Sequence, residues 1–245
     1  MKAFKNYLLV FVAIFSWAFS SCSSQIAGTV RNGGAAGFNV NTRIEPRTAD
    51  FIRTFLSFSG PEAKNQEILN GETIGKSMAA APGMGKVALE NTGPAAIKGT
   101  VELVKVEDFL AVAGRNKRFI TYTEAAENRP GQGSIIVSID RETAPAVIAL
   151  LSADAVAYLS ALMAPAATGE VLSRHEYLFI VGSFYGQAIA DEIIAAKINA
   201  SIDFPGRIIN IRGGTSSGRR AEFQIPLIDL LVLEKPLVWE VSWEK

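Results

Sequence analysis

The chain has 245 residues, and its 24 basic residues balance 24 acidic ones. That balance gives no electrostatic case for nucleic acid, whose partners carry a basic patch or stripe. A single cysteine excludes an intramolecular disulfide and a cysteine-cluster metal site, and one histidine leaves zinc short of ligands, so no metal and no cofactor are expected.

The first 21 residues have the order of an export signal. Lys2 and Lys5 open it, residues 7–15 (YLLVFVAIF) form an uncharged apolar core, and the small residues Ser20 and Ser21 stand directly before Cys22. The core is shorter than the roughly 20 residues of a membrane span. Small residues ahead of a cysteine also argue against an uncleaved anchor. Removal of 1–21 leaves 22–245, slightly acidic and long enough for a full core. Cys22 lies between an apolar leader and a Ser-Gly-rich stretch, so no core is expected around its thiol.

Residues 22–37 carry Gly28, Gly33, Gly34 and Gly37 among Ser, Asn and Ala, and are expected as a flexible tether before a single domain over 38–245. Residues 40–44 predict a short strand. Thr48 is the expected N-cap of a helix with Phe51, Ile52, Phe55 and Leu56 on one side. Residues 60–85 are rich in Gly, Pro and Ala, with a helix expected around 72–80. Strands are then predicted at 86–91, 96–106, 118–123 and 134–139, rich in Val, Ile, Thr and aromatics and separated by turn residues.

Residues 143–168 contain one charge, Asp154, and are bracketed by Pro145 and Pro165. A membrane span there would carry Asp154 near its centre at about 2.5–3.5 kcal/mol. Two short core helices are expected instead; a block that touched lipid would do so through Val147, Leu150, Leu151, Leu159, Leu162 and Met163. Ser173-Arg-His-Glu176 matches a capping box. Beyond it Tyr177, Ile180, Val181, Phe184, Ala188 and Ile189 recur at helical spacing, with Gly182 and Gly186 marking close packing or a break. Period-two alternation follows at 198–204, 209–211, 223–227 and 239–243, which predicts antiparallel strands with one covered face. The fold class is therefore α+β, an antiparallel sheet with a central helical block packed on it.

Phe19-Ser20-Ser21-Cys22 resembles the bacterial lipobox, with Phe19 where the usual pattern has Leu. The resemblance implies that the Cys22 sulfur takes a diacylglyceryl group and that the amine freed by cleavage is acylated, for instance with palmitate. Ser23 resembles the sorting pattern of outer-membrane lipoproteins, which implies that membrane and a periplasm-facing domain. "IDFPGRIINIRGG", "RRAEFQIPLIDLL" and "LVWEVSW" are similar to the closing strands of LppM-type envelope lipoproteins, and residues 153–243 look like uncharacterised spirochaete lipoproteins. These likenesses imply an envelope lipoprotein without established catalysis and transfer no functional residue except Cys22.

Enzymatic motifs are poorly supported. Gly71-Glu-Thr-Ile-Gly75-Lys76-Ser77 falls one residue short of P-loop spacing, and Asn70 holds the position of the first glycine. Pro82-Gly-Met-Gly85-Lys86 reads as a linker. His175 would have to be the base of any serine triad, yet no G-x-S-x-G elbow exists, and Ser216 and Ser217 lie in a Gly-rich loop. Glu107-Asp108 and Asp191-Glu192 are adjacent acids that do not share a face. Arg207, Arg212, Arg219 and Arg220 cluster on an expected hairpin, where lipid headgroups or a glycan compete with a solvated tip. The sequence thus predicts a non-catalytic, membrane-anchored lipoprotein binding an apolar ligand, a lipid or an envelope protein between sheet and helices. The alternatives are an exported hydrolase using carboxylate chemistry and a purely structural envelope component.

Overall fold

The structure, a computed structural model, describes residues 24–57, 67–106, 108–109, 119–123, 131–148 and 153–244. The leader, Cys22, Ser23, Glu107, Leu150 and Leu151 lie outside these residues, as does the side chain of Asp154. The strands are β1 (Ser24–Val30), β2 (Ala36–Arg43), β3 (Met84–Gly93), β4 (Ala96–Leu103), β5 (Ile120–Thr123), β6 (Gln132–Ile139), β7 (Lys197–Asp203), β8 (Arg207–Arg212), β9 (Thr215–Ser217), β10 (Arg220–Pro226) and β11 (Leu237–Glu244). The helices are α1 (Pro46–Ser57), α2 (Gly71–Ala79), α3 (Ala144–Ile148), α4 (Ala153–Ala161), α5 (Pro165–Thr168), α6 (Arg174–Tyr185), α7 (Gln187–Ala195) and α8 (Leu227–Val232).

The class is the expected mixture of helices and mostly antiparallel strands, but there are two sheets. A seven-stranded sheet runs β3-β4-β2-β1-β7-β10-β9, and a four-stranded sheet runs β5-β6-β11-β8. Every pairing is antiparallel except β1 with β7. The C-terminal strands are shared between the sheets. Pro205-Gly206 carries the chain from β7 to β8 and so from one sheet to the other, not around a hairpin.

The stretch 24–37 is not a tether. Ser24–Val30 is an interior strand of the large sheet, in register with β2 from Ser24↔Thr42 to Val30↔Ala36 and with β7 from Ser24↔Ile198 to Thr29↔Asp203. Backbone hydrogen bonding on both edges outweighs the flexibility expected from its small residues.

One face of the large sheet packs on the small sheet. Val30, Ala36, Phe204, Ala221 and Phe223 are buried there with Val241 and Trp243. Trp243 is almost fully enclosed, 5.1 Å from Phe204 and 6.3 Å from Tyr122 between ring centroids. Gly133 stands opposite Trp243 in the ladder, and a Cβ there would approach the indole to 2.5 Å. The helices form their own core, in which Leu162, Tyr177, Val181, Ile189, Ile193, Leu231 and Val232 are buried. The expected block at 143–168 is α3, α4 and α5, and Leu159 and Leu162 pack into this core. Among the described residues no helix is long and apolar enough to cross a membrane.

Local sequence sets the helix ends. Ser173 and Glu176 form the predicted capping box. Gly186, at φ 96°, separates α6 from α7, a conformation that costs glycine little. Helix α1 begins at Pro46, ahead of the expected cap at Thr48, because proline's fixed φ suits a first turn. Glu192 of α7 accepts from the backbone N–H groups of Arg47 and Thr48 at 3.2 and 2.8 Å, and from the Thr48 hydroxyl at 2.8 Å. A carboxylate at a helix N-terminus satisfies donors that have no intrahelical partner.

Candidate functional site

Alternation along the strands sends apolar side chains toward the small sheet and leaves the other face of the large sheet polar. On that face Asn41, Gln25, Asn199 and Gln224 stand side by side across β2, β1, β7 and β10. Asn39, Ala27, Ser201 and Glu222 form the next row. The Gln224 amide donates to Asn199 Oδ1 at 3.3 Å. An open concavity of about 850 Å³ is lined by these rows together with Ile26, Val40, Ala200, Phe223 and the segment 213–215. Among the described lining residues Glu222 is the one titratable side chain. A row of neutral donors and acceptors can hold hydroxyl or amide groups.

Ion pairs flank the rows. Lys98 meets Glu90 at 3.1 Å, and Arg220 makes a forked contact with Asp203 at 2.9 and 3.0 Å. The Arg220 guanidinium holds the Asp203 carboxyl below its ordinary range. Arg220 is therefore committed to a partner, and Arg212 faces Glu240 across β8 and β11. The expected arginine cluster is divided between the two sheets.

A second open concavity, of about 730 Å³, is lined by Ser173, Arg174, His175, Asp229, Glu234 and Lys235 among others. Arg174 pairs with Asp229, and its backbone N–H donates to Glu234 at 3.0 Å. His175 is exposed in the first turn of α6. Ser217 opposes Arg220 at the start of β10, whereas the α8 residue Asp229, which shares the concavity with His175, follows the end of that strand. The structure does not bring His175 to Ser216 or Ser217.

The remaining candidates have structural roles. Lys76 pairs with Glu72 on the surface of α2 at 2.5 Å, and Asn70 caps the helix through Thr73 N–H. Gly75 packs on β3, where a Cβ would touch Val87 at 3.7 Å. Asp108 lies 3.8 Å from Lys105. Asp191 accepts from Gln187 at 2.9 Å, while its neighbour Glu192 turns away to cap α1. Tyr177, whose hydroxyl donates to the Leu162 carbonyl at 2.9 Å, titrates above its ordinary range because it is buried. The space between the sheets, by contrast, is filled by side chains such as Phe204 and Trp243.

Sequence reasoning missed the amide rows because Gln25 and Ala27, which join their two sides, lie in β1, read as tether. The alternation of Gln25, Ala27 and Thr29 with Ile26, Gly28 and Val30 was the available signal.

No family model matches the chain, and no curated protein matches it. Among solved structures, the folded domain of LppM from Mycobacterium tuberculosis, determined by NMR, is similar over 90% of this chain and 88% of its own length, with a TM-score of 0.36 and 6% sequence identity. At that distance the likeness carries no residue role to this chain.

Proposed function

We propose that the chain is a non-catalytic lipoprotein of the bacterial envelope, held to the membrane through Cys22, in the outer membrane by the lean of Ser23. The observation that carries this reading is the fit between signal and fold. The lipobox-like cysteine falls two residues before β1 begins at Ser24. Cleavage ahead of Cys22 would discard the apolar leader and leave every strand of the large sheet intact. The amide-lined face is then the surface offered to an envelope partner bearing hydroxyl or amide groups.

Metabolic labelling with a palmitate analogue tests the anchor. The wild-type protein should take up label and fractionate with membranes. Cys22→Ala should lose the label and accumulate as an unprocessed or soluble form, because stable anchoring requires more than one acyl chain. A wild-type protein that takes up no label refutes the reading.

A further inference from the structure

The polarity of the strands fixes where the leader meets the fold. Ser24 opens β1 opposite Thr42, near the end of β2, and Ile198, near the start of β7. At that same end of the large sheet α1 follows β2, α7 precedes β7 and α8 follows β10. The buried residues of the helical core come from helices and their connections, and those between the sheets come from strands and their connections. Helix α1 packs on the helical core through Phe51 and also on Ile68 and Ala95, beside the β3–β4 turn. The helical block thus extends the sheet at the end where Ser24 lies.

Within the block, α1 runs outward from the sheet. Thr48 meets Glu192 toward the C-terminal end of α7, while Phe51 stacks 4.1 Å from Tyr185, just before α7 begins. The second half of α1 and the α6–α7 connection at Gly186 therefore form the outer tip. Phe55, Phe179 and Phe184, at 43, 69 and 76% exposure, are the exposed phenylalanines among the described residues, and all lie in α1 and α6. Ile194 of α7 is exposed as well. Successive residues Leu178, Phe179, Ile180 and Val181 make α6 apolar on every side, the pattern of an enclosed helix, yet of its residues only Tyr177 and Val181 are buried.

Chain length points to what covers this surface. Ser24 lies two residue steps from Cys22, which span at most about 7 Å at 3.3–3.6 Å each. Helix α7, with nine residues, extends about 14 Å from the sheet at 1.5 Å per residue. Cys22 itself would therefore lie alongside the helical block and not beyond its tip, which brings the block against the leaflet that takes its acyl chains. We infer that the helical end of the domain is a membrane-contact surface, with Phe55, Phe179 and Phe184 resting in the headgroup–acyl boundary of the leaflet that holds the Cys22 lipid. Apolar side chains on surface helices enter that boundary by their buried area. The inference rests on the lipid-anchor reading, and adds a second, protein-borne attachment.

Acylation blocks the Cys22 sulfur, so Phe184→Cys and Phe179→Cys each give the processed protein one free thiol for a nitroxide label. Both sites are exposed, and neither substitution removes a core contact. Ser217→Cys, at the opposite end of the large sheet, is the reference. The labelled, acylated proteins are placed in vesicles of phosphatidylethanolamine and phosphatidylglycerol, and their accessibility to oxygen and to an aqueous nickel complex is read by power-saturation EPR. Labels at 179 and 184 should be shielded from nickel several-fold relative to 217 and enriched in oxygen contact. Nickel exposure equal to that at 217, with acyl groups on Cys22 confirmed by mass, overturns the contact surface and leaves the anchor standing. A Cys22 without acyl groups overturns the anchor reading, and this one with it.

Discussion

Trp243 and Gly133 form a size-matched pair whose coupling can be measured. Trp243→Ala removes an indole that is 2% exposed and packed on Phe204 and Tyr122, a loss of about 3–5 kcal/mol by the usual cost of aromatic truncation in a core. Gly133→Ala adds a methyl that meets Trp243 Cζ2 at 2.5 Å and Cε2 at 2.6 Å. Gly133 lies within a regular strand and outside the positive-φ glycines, so the cost is steric and should be about 1–3 kcal/mol. Once the indole is gone, the same methyl enters vacated space, and Gly133→Ala should cost almost nothing. The coupling between the two changes is then at least about 1 kcal/mol. Thermal unfolding followed by circular dichroism provides the readout. At about 2–4 °C per kcal/mol for a protein of this size, Trp243→Ala should lower Tm by about 6–20 °C. Additive effects of the two substitutions would show that residues 133 and 243 are not in contact, and would refute the register of β6 against β11.

Two further outcomes follow from the helices. Leu159→Glu places a charge at a half-buried position against the helical core and should destabilise the block, seen as a lowered Tm, because apolar packing is lost and the carboxylate is partly desolvated. An unchanged Tm in Leu159→Glu would contradict the packing of α4. Glu176 accepts from the Ser173 backbone N–H and hydroxyl, which hold its carboxyl below the ordinary 4.5. A depressed folded value means that its contribution is present above the ordinary value and is lost as pH falls through the folded one. NMR titration should therefore find Glu176 depressed in the wild type and closer to ordinary in Ser173→Ala, and equal values would contradict the capping box.

The features legible in the sequence were those whose causes are local. Ser173 and Glu176 cap α6 within one turn, and the alternation in 198–204 and 223–227 appears as β7 and β10. Gly186 gave the break between α6 and α7. Non-local features were hidden. Nothing near Pro205 tells that β8 leaves the sheet of β7, because that choice is made by Ile208 and Ile211 packing with Trp239 and Trp243 of β11. Strand β1 was hidden by its small residues. Gly28 is small because the Phe38 ring occupies its side-chain space, where a Cβ would fall 2.3 Å from Phe38 Cδ1. Composition alone read this as flexibility.

The parallel pairing of β1 with β7 also orders the events of folding. β1 with β2, and β3 with β4, can zip together early, since each pair is close in sequence, and β7 can find β10 in the same way. β1 bridges these two halves, and its second partner, β7, is made only near the end of the chain. Contacts of such long sequence separation form slowly, because loop-closure entropy is lost before they are gained. Until residues 197–203 arrive, the large sheet lacks its centre and β1 has an open edge. Were the chain to cross a membrane leader-first, β1 would keep that open edge through most of the passage, and the first strand would be the one most in need of protection from intermolecular pairing.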